Sequence, residues 1–121
     1  MPSMNLDRMR ELLLSAEKKD ATDEVLEGYV DVEDSLVNGD SYQLLLMRDA
    51  GWIESNAPEF GSFRMTYIGH EYLNAVRNES VWKSTKEVIA NEGGSMALEL
   101  VKALAMGFAK KQVEKHTGMK L

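Results

Sequence analysis

Apolar residues near the start of the chain recur at spacings of three and four, which is typical of one face of an amphipathic helix. Asn5 precedes this stripe as a candidate cap, and the pattern predicts a first helix that reaches about Lys19. The stripe consists of Leu6, Met9, Leu13 and Ala16, widened by Leu12 and Leu14. The mixed segment that follows predicts a connector over residues 21–30, with a candidate short strand near Val25 and Leu26.

Two short helices around a turn are predicted next. Residues 31–37 have the composition of a short acidic helix, and Asn38-Gly39-Asp40 is a strong turn signal. A helix over residues 41–50 follows, with Asp40 or Ser41 as its cap and Gly51 as its stop. Residues 52–55 and 63–67 then predict the two strands of a hairpin, because the segment between them is rich in loop residues.

Three more helices are predicted after the hairpin, and polar caps and glycines mark their ends. Their ranges are 67–77 after Thr66, 79–90 after Asn78, and 95–116 from Ser95, with a break at Gly93-Gly94 and a close at Gly118. Their predicted core positions are Ile68, Tyr72 and Val76 in the first, Trp82, Val88 and Ile89 in the second, and Ala97, Val101, Leu104, Ala105 and Phe108 in the third. Trp52 is also predicted to be core.

This order predicts a mainly α fold with a small β-hairpin, a winged helix-turn-helix followed by two C-terminal helices. The helices around residues 38–40 would form the helix-turn-helix, and residues 52–67 would form the wing. We expect residues 1–78 to be the winged-helix core and residues 79–121 a helical extension, packed on the core or on a second subunit. A chain of 121 residues fits one structural domain of this kind.

The charge distribution bears on what such a scaffold binds. The chain carries 14 basic and 20 acidic side chains, for a net charge of -6, and residues 25–50 hold one basic residue and six acidic ones. Residues 95–121 are basic instead, with five lysines and two glutamates. Phosphate contacts require Lys and Arg, so the helix over residues 41–50 lies in a region unfavourable for DNA.

Such a scaffold therefore has two kinds of candidate partner. A DNA reader would use the polar start of the helix at 41–50 together with basic residues of the helix and wing, and Gln43 would pair with adenine unless it is simply solvated. The candidate DNA contacts are Ser41, Tyr42, Gln43, Arg48, Arg64 and Arg77, and Lys83 and Lys86 would add to them if the fold gathers them on one face. Tyr42, Phe60 and Phe63 are weak candidates for stacking on bases.

A protein partner or a second copy of the chain is favoured over DNA. Leu45 lies on the helix where a DNA reader is usually polar, so it is either buried under the C-terminal helix or part of a protein-contact patch. Asp34 and Asp40 are the acidic candidates for the same contact. The amphipathic, basic last helix is expected to pack on the domain or on a second copy rather than on a membrane.

Catalysis and cofactor binding find little support in the residue pattern. The chain has no cysteine, and His70 lacks a second histidine four positions later, where Asn74 stands. The glycines form no phosphate-binding loop, and no small-molecule site is evident. We expect a protein that is not an enzyme, holds no cofactor or metal, has no secretory signal and works in the cytoplasm.

Three stretches of sequence resemble known proteins. Residues 42–53 resemble a recognition helix with its Ala-Gly-Leu-Ile-type junction, and Met65-Thr66-Tyr67-Ile68-Gly69 resembles the Leu-Thr-x-x-Gly exit from the wing of many regulators. Residues 10–14 (Arg-Glu-Leu-Leu-Leu) and 69–82 are similar to domain-of-unknown-function family 2513, which often has histidine where Gln43 stands and leucine where Trp52 stands. The resemblance implies a bacterial setting associated with phages or prophages and supplies no catalytic residues.

We therefore expect a winged-helix binding module in phage-related regulation, acting through protein contacts or self-association, with sequence-specific DNA binding as the alternative.

Overall fold

The computed structural model describes residues 3–19, 28–94 and 96–120. The chain divides into two compact units, Met1–His70 and Glu71–Leu121. The boundary falls inside a helix, whereas the sequence pattern placed the start of the extension at residue 79. The described residues are mainly helical, with five α-helices and a small antiparallel sheet of three strands.

The first unit begins with helix α1 (Leu6–Lys18), as predicted. The side-chain oxygen of Asn5 caps it by accepting a hydrogen bond of 3.0 Å from the Arg8 N–H. The apolar stripe is buried at its centre, through Met9, Leu12, Leu13 and Ala16. The strand predicted near Val25 and Leu26 lies outside the described residues.

Strand β1 (Tyr29–Asp31) follows, and it corrects the predicted acidic helix over residues 31–37. Asp31 belongs to the strand, where it pairs with Ser62, and only one 3-10 turn forms after it, at Glu33–Ser35. The Asp31 carboxylate accepts a 2.8 Å hydrogen bond from the Glu33 N–H, and Val32 between them is buried. Pairing and burial therefore prevent a regular helix here.

Helix α2 (Asp40–Asp49) is one residue displaced from its predicted range. Its cap is Gly39, in a left-handed conformation at φ 94°, so the prediction of Asp40 or Ser41 as cap is wrong. The stop at Gly51 is confirmed, since this glycine has φ 81°, which other residues rarely adopt. Leu44 and Met47 are buried and α2 packs against α1.

The predicted hairpin forms from β2 (Ile53–Glu54) and β3 (Ser62–Met65). A second 3-10 turn, Pro58–Phe60, lies between them and packs against α2. Strand β3 pairs with both neighbours, giving the sheet order β1-β3-β2. The core of this unit combines one face of the sheet with both helices, and includes Met9, Leu13, Val32, Leu44, Met47, Trp52 and Phe63.

Helix α3 (Tyr67–Val76) spans the boundary between the units. The predicted cap is confirmed, because the Thr66 hydroxyl oxygen accepts a 3.1 Å hydrogen bond from the Gly69 N–H. Tyr72 and Val76 are buried as predicted, but Ile68 is exposed, so its assignment to the core is wrong.

Helices α4 (Glu79–Asn91) and α5 (Leu98–Thr117) pack together in the second unit. Asn78 caps α4, as predicted, through a 3.0 Å hydrogen bond from the Val81 N–H. Gly118 ends α5 at φ 71°, also as predicted. The N-cap of α5 is Ala97, which is exposed, so the assignment of Ala97 to the core is wrong. The other predicted core positions divide into buried Trp82, Ile89, Val101 and Ala105 and half-buried Val88, Leu104 and Phe108.

Candidate functional site

Asp40 is the first residue of α2, and groups of the first unit donate hydrogen bonds to its carboxylate. Arg8 donates to both of its oxygens, from Nε to Oδ1 at 2.8 Å and from Nη2 to Oδ2 at 2.9 Å, and the Val37 N–H donates to Oδ2 at 2.8 Å. Burial by itself raises the pKa of Asp40, but the hydrogen bonds from Arg8 and Val37 outweigh it and hold the pKa below its ordinary value. Asp40 is 1% exposed, so the prediction that it contacts a partner protein is wrong.

Arg8 supplies the other half of this contact and was not singled out in the sequence. Its guanidinium also donates to Glu11 at 2.8 Å and to the Ser35 carbonyl at 3.1 Å. The hydrogen bond to Asp40, above all, raises the pKa of Arg8 and stabilises its charged form. A polar position three residues after a helix cap is ordinarily solvated, so no local signal indicated this role.

Gln43 is the fourth residue of α2, and its side chain points into the protein. Its Oε1 accepts a 2.7 Å hydrogen bond from the Asn5 N–H, and its Nε2 donates to the Ser3 carbonyl at 2.9 Å. The side chain is buried, so both predictions for it, a reader of adenine and a solvated surface residue, are wrong. Gln43 instead holds the segment that leads into α1.

The exposed start of α2 forms a patch with the second 3-10 turn. The Ser41 hydroxyl donates to the Glu59 carbonyl at 3.0 Å, which places Tyr42 beside the turn that carries Phe60. Tyr42 is exposed at 37% and Phe60 at 71%. Glu33 is close to the same turn, because a Cβ on Gly61 would lie 2.8 Å from the Glu33 nitrogen. We call Glu33, Tyr42, Glu59 and Phe60 the Tyr42–Phe60 patch.

The Tyr42–Phe60 patch has an unusual carboxylate. Glu59 Oε1 is buried and has no hydrogen-bond partner in the described part of the chain. An unpaired buried carboxylate oxygen carries a desolvation cost. Phe63, the third candidate for base stacking, is fully buried, so that prediction is wrong.

The basic residues predicted to face DNA in this unit are engaged with neighbouring groups. Arg64 pairs with Glu54 at 2.8 Å, and this contact lowers the pKa of Glu54. Glu54 also accepts a hydrogen bond from the Tyr29 hydroxyl, which raises the pKa of Tyr29. Arg48 donates weakly, at 3.4 Å, to the Asn56 carbonyl.

The remaining candidates lie in different surroundings. Asp34 is exposed and pairs with Lys19 at 3.3 Å, so a contact between Asp34 and a partner stays a prediction. Leu45 is half-buried. This exposure fully matches neither burial under the C-terminal helix nor a place in a protein-contact patch. In the second unit, Arg77 donates to Asn74 at 2.9 Å and the Lys86 ammonium lies 5.5 Å from the centre of the Trp82 ring.

No group of three or more His, Asp or Glu side chains is arranged to hold a metal ion within residues 3–19, 28–94 and 96–120. No helix in these ranges is both long enough and apolar enough to cross a bilayer.

These features define a mainly helical protein with a small antiparallel sheet, in which buried polar contacts hold α1 against α2. The chain belongs to the family described as Hypothetical protein (DUF2513), which matches residues 3–95. A relative from Haemophilus influenzae, described as an uncharacterized protein, is 30% identical over 109 residues, covering 84% of this chain and 90% of the relative. No solved structure matches the chain significantly. The resemblance drawn from residues 10–14 and 69–82 is thereby confirmed.

Proposed function

We propose that residues 1–70 form a winged-helix binding module that docks a segment of another protein on the Tyr42–Phe60 patch. The order of elements supports the scaffold: a helix, a strand, a short turn of helix, a second helix and then a hairpin. In this proposal α2 takes the place of the recognition helix and β2–β3 the place of the wing. The first helix of the helix-turn-helix is reduced to the 3-10 turn Glu33–Ser35.

The observation that carries the proposal is the chemistry around the start of α2. Two exposed aromatic side chains stand among carboxylates, and one of these, Glu59, has a buried oxygen without a donor among the described residues. Exposed apolar groups bordered by polar ones are typical of protein contacts. The complementary partner is a segment that carries Lys or Arg beside an apolar side chain, because the cation would match the negative charge of Glu33 and Glu59 and the apolar group would add contact area.

DNA binding by α2 is the alternative, and the same contacts support it less. Gln43 is buried and holds Ser3 and Asn5, so its side chain is not presented to a base. Arg64 is paired with Glu54, and residues 1–70 carry six basic and 14 acidic side chains. Phosphates would meet like charge at this surface.

Selection of short peptides against the full chain tests the proposal. We expect the enriched peptides to combine Lys or Arg with an apolar residue, and charge-reversed versions of them to bind poorly. Phe60→Ser should weaken binding by roughly tenfold, since truncation of an aromatic anchor typically costs more than 1 kcal/mol. Phe60 is mostly exposed, so this variant should keep the stability of the parent.

Tyr67→Ser is the matched control, because Tyr67 is an aromatic side chain of the same unit that is 77% exposed and lies beyond the other end of β3. Equal losses in the two variants would contradict the patch assignment. A shift of genomic DNA fragments at low salt that depends on Arg48 and Arg64 would instead favour the alternative. Sedimentation of the parent chain and Phe60→Ser distinguishes a foreign partner from a second copy.

A further inference from the structure

A small cleft lies between α4 and α5 in the second unit, away from the Tyr42–Phe60 patch in the chain. Its volume is about 130 Å³, and its polar lining comes from successive turns of the two helices. Ser80 and Ser84 face it from α4, and Lys111, Gln112 and Lys115 face it from α5, with Phe108 as part of its apolar wall.

The spacing of these residues places each pair on one helix face. Ser80 and Ser84 are four residues apart, as are Lys111 and Lys115, so each pair lies on adjacent turns. The Gln112 Nε2 donates to the Ser80 hydroxyl oxygen at 3.3 Å and so bridges the two helices at the edge of the cleft. The two serines of α4 and the two lysines of α5 therefore line opposite walls of the cleft.

The electrostatics of the cleft favour an anion. No carboxylate lines it, and neither Lys111 nor Lys115 has an ion-pair partner in the described part of the chain. The Ser84 hydroxyl is likewise without a hydrogen bond among the described residues, and Ser80, as the acceptor from Gln112, keeps its own proton to donate. The whole second unit carries eight basic and six acidic side chains, in contrast to the acidic first unit.

We propose that this cleft binds a phosphate group. Two lysines balance the charge of a phosphate dianion, and the serine hydroxyls and the free Gln112 amide proton supply hydrogen bonds to its oxygens. The volume holds only a few waters, at about 30 Å³ each in the liquid, so it admits a phosphate and leaves the rest of the ligand outside. The group comes either from a small phosphate monoester or from the backbone of a polynucleotide. This inference is independent of the proposed protein contact at α2.

Titration of the full chain with inorganic phosphate, followed by amide NMR, tests the proposal. We expect saturable shifts at the amides of residues 80–84 and 111–115. Lys111→Gln and Lys115→Gln should each weaken binding roughly threefold, and the double variant roughly tenfold, as exposed charge pairs do. Ser84→Ala should also weaken it, without loss of thermal stability.

Lys110→Gln is the matched control, because it removes the same charge from the same helix but Lys110 lines a different groove. Equal weakening by Lys110→Gln and Lys111→Gln would show diffuse attraction and overturn the proposal, as would the absence of saturable shifts. Parallel titrations with glycerol phosphate and with a single-stranded oligonucleotide separate the two sources. Tighter binding of either one, lost in the double variant, supports the site and identifies its ligand class.

Discussion

Arg8 and Asp40 form a two-point ion pair across 32 positions of the chain, with both Asp40 oxygens engaged at 2.8 and 2.9 Å. The pair joins the first turn of α1 to the first turn of α2. Asp40 is buried and Arg8 keeps a quarter of its side chain exposed. Such a contact fixes the register of the two helices, because a guanidinium and a carboxylate match in only a few geometries.

Replacement of Asp40 by Asn should destabilise the first unit. The amide removes the negative charge and leaves the Arg8 guanidinium without its main counter-ion. We expect a loss of about 2–3 kcal/mol in the free energy of unfolding, less than for a fully buried pair because Arg8 is partly exposed. Urea unfolding at neutral pH, followed by the amide NMR signals of α1 and α2, measures it.

Asp34→Asn provides the comparison for Asp40→Asn. Asp34 also pairs with a cation, Lys19, but both side chains are exposed, at 80% and 37%. We expect a change of less than about 1 kcal/mol, as for other surface pairs. Similar losses of stability in Asp40→Asn and Asp34→Asn would contradict the prediction, because they would mean that the buried Arg8–Asp40 pair stabilises the fold no more than an exposed pair does.

The same pair predicts a pH dependence of stability. The pKa of Asp40 is lower in the folded chain than its ordinary value of 3.8, so the unfolded chain takes up the proton first as the pH falls. The stabilisation is therefore complete well above pH 4 and disappears as the pH falls through 3.8 toward the folded-state pKa. The difference in stability between the parent and Asp40→Asn should narrow over this range. A constant difference from neutral pH down to pH 3 would refute the assignment.

Replacement of Gln43 by Ala should loosen the segment before α1. It removes the acceptor of the Asn5 N–H and the donor to the Ser3 carbonyl. We expect a loss of about 1–2 kcal/mol and faster hydrogen exchange at the Asn5 amide. Gln112→Ala, which removes an exposed amide, should change stability by less than about 0.5 kcal/mol. An unchanged exchange rate at Asn5 would show that Gln43 does not hold this segment.

The fold could be predicted where its signals are local. Periodic apolar residues, the Asn5 and Asn78 caps and the stop at Gly51 each act within a few residues, and the helices they mark are all present. Strand β1 was missed because it exists only through pairing with residues 62–64, more than 30 positions away. Tyr29 and Val30 are residue types that are common in strands, but three residues are too few to show the alternation that identifies one.

The candidate sites were harder to predict because they depend on burial and long-range packing. The polar type and helix position of Gln43 predict a surface residue, yet its partners are backbone groups 38 and 40 positions earlier. The serines and lysines of the α4–α5 cleft lie about thirty positions apart in sequence and meet only when the helices pack. Charge counts indicated the acidic character of the first unit correctly, because net charge is a property of the sequence itself.

Gly69 lies in the first turn of α3, and substitution there should be severe. A Cβ at this position would lie 2.1 Å from the Trp52 carbonyl oxygen, which is backbone and cannot move aside alone. We expect Gly69→Ala to destabilise the first unit by about 2–3 kcal/mol. Gly107→Ala, in the interior of α5, is the matched change: a Cβ there has no neighbour within 4 Å, and the better helix propensity of alanine should add about 0.5–1 kcal/mol. Because the chain divides into two compact units, hydrogen exchange of amides in each unit is the appropriate measurement. Protection should fall in residues 52–69 for the first variant and rise in residues 98–117 for the second. Equal protection in both variants and the parent would mean that the close approach of Gly69 to Trp52 carries no energetic constraint.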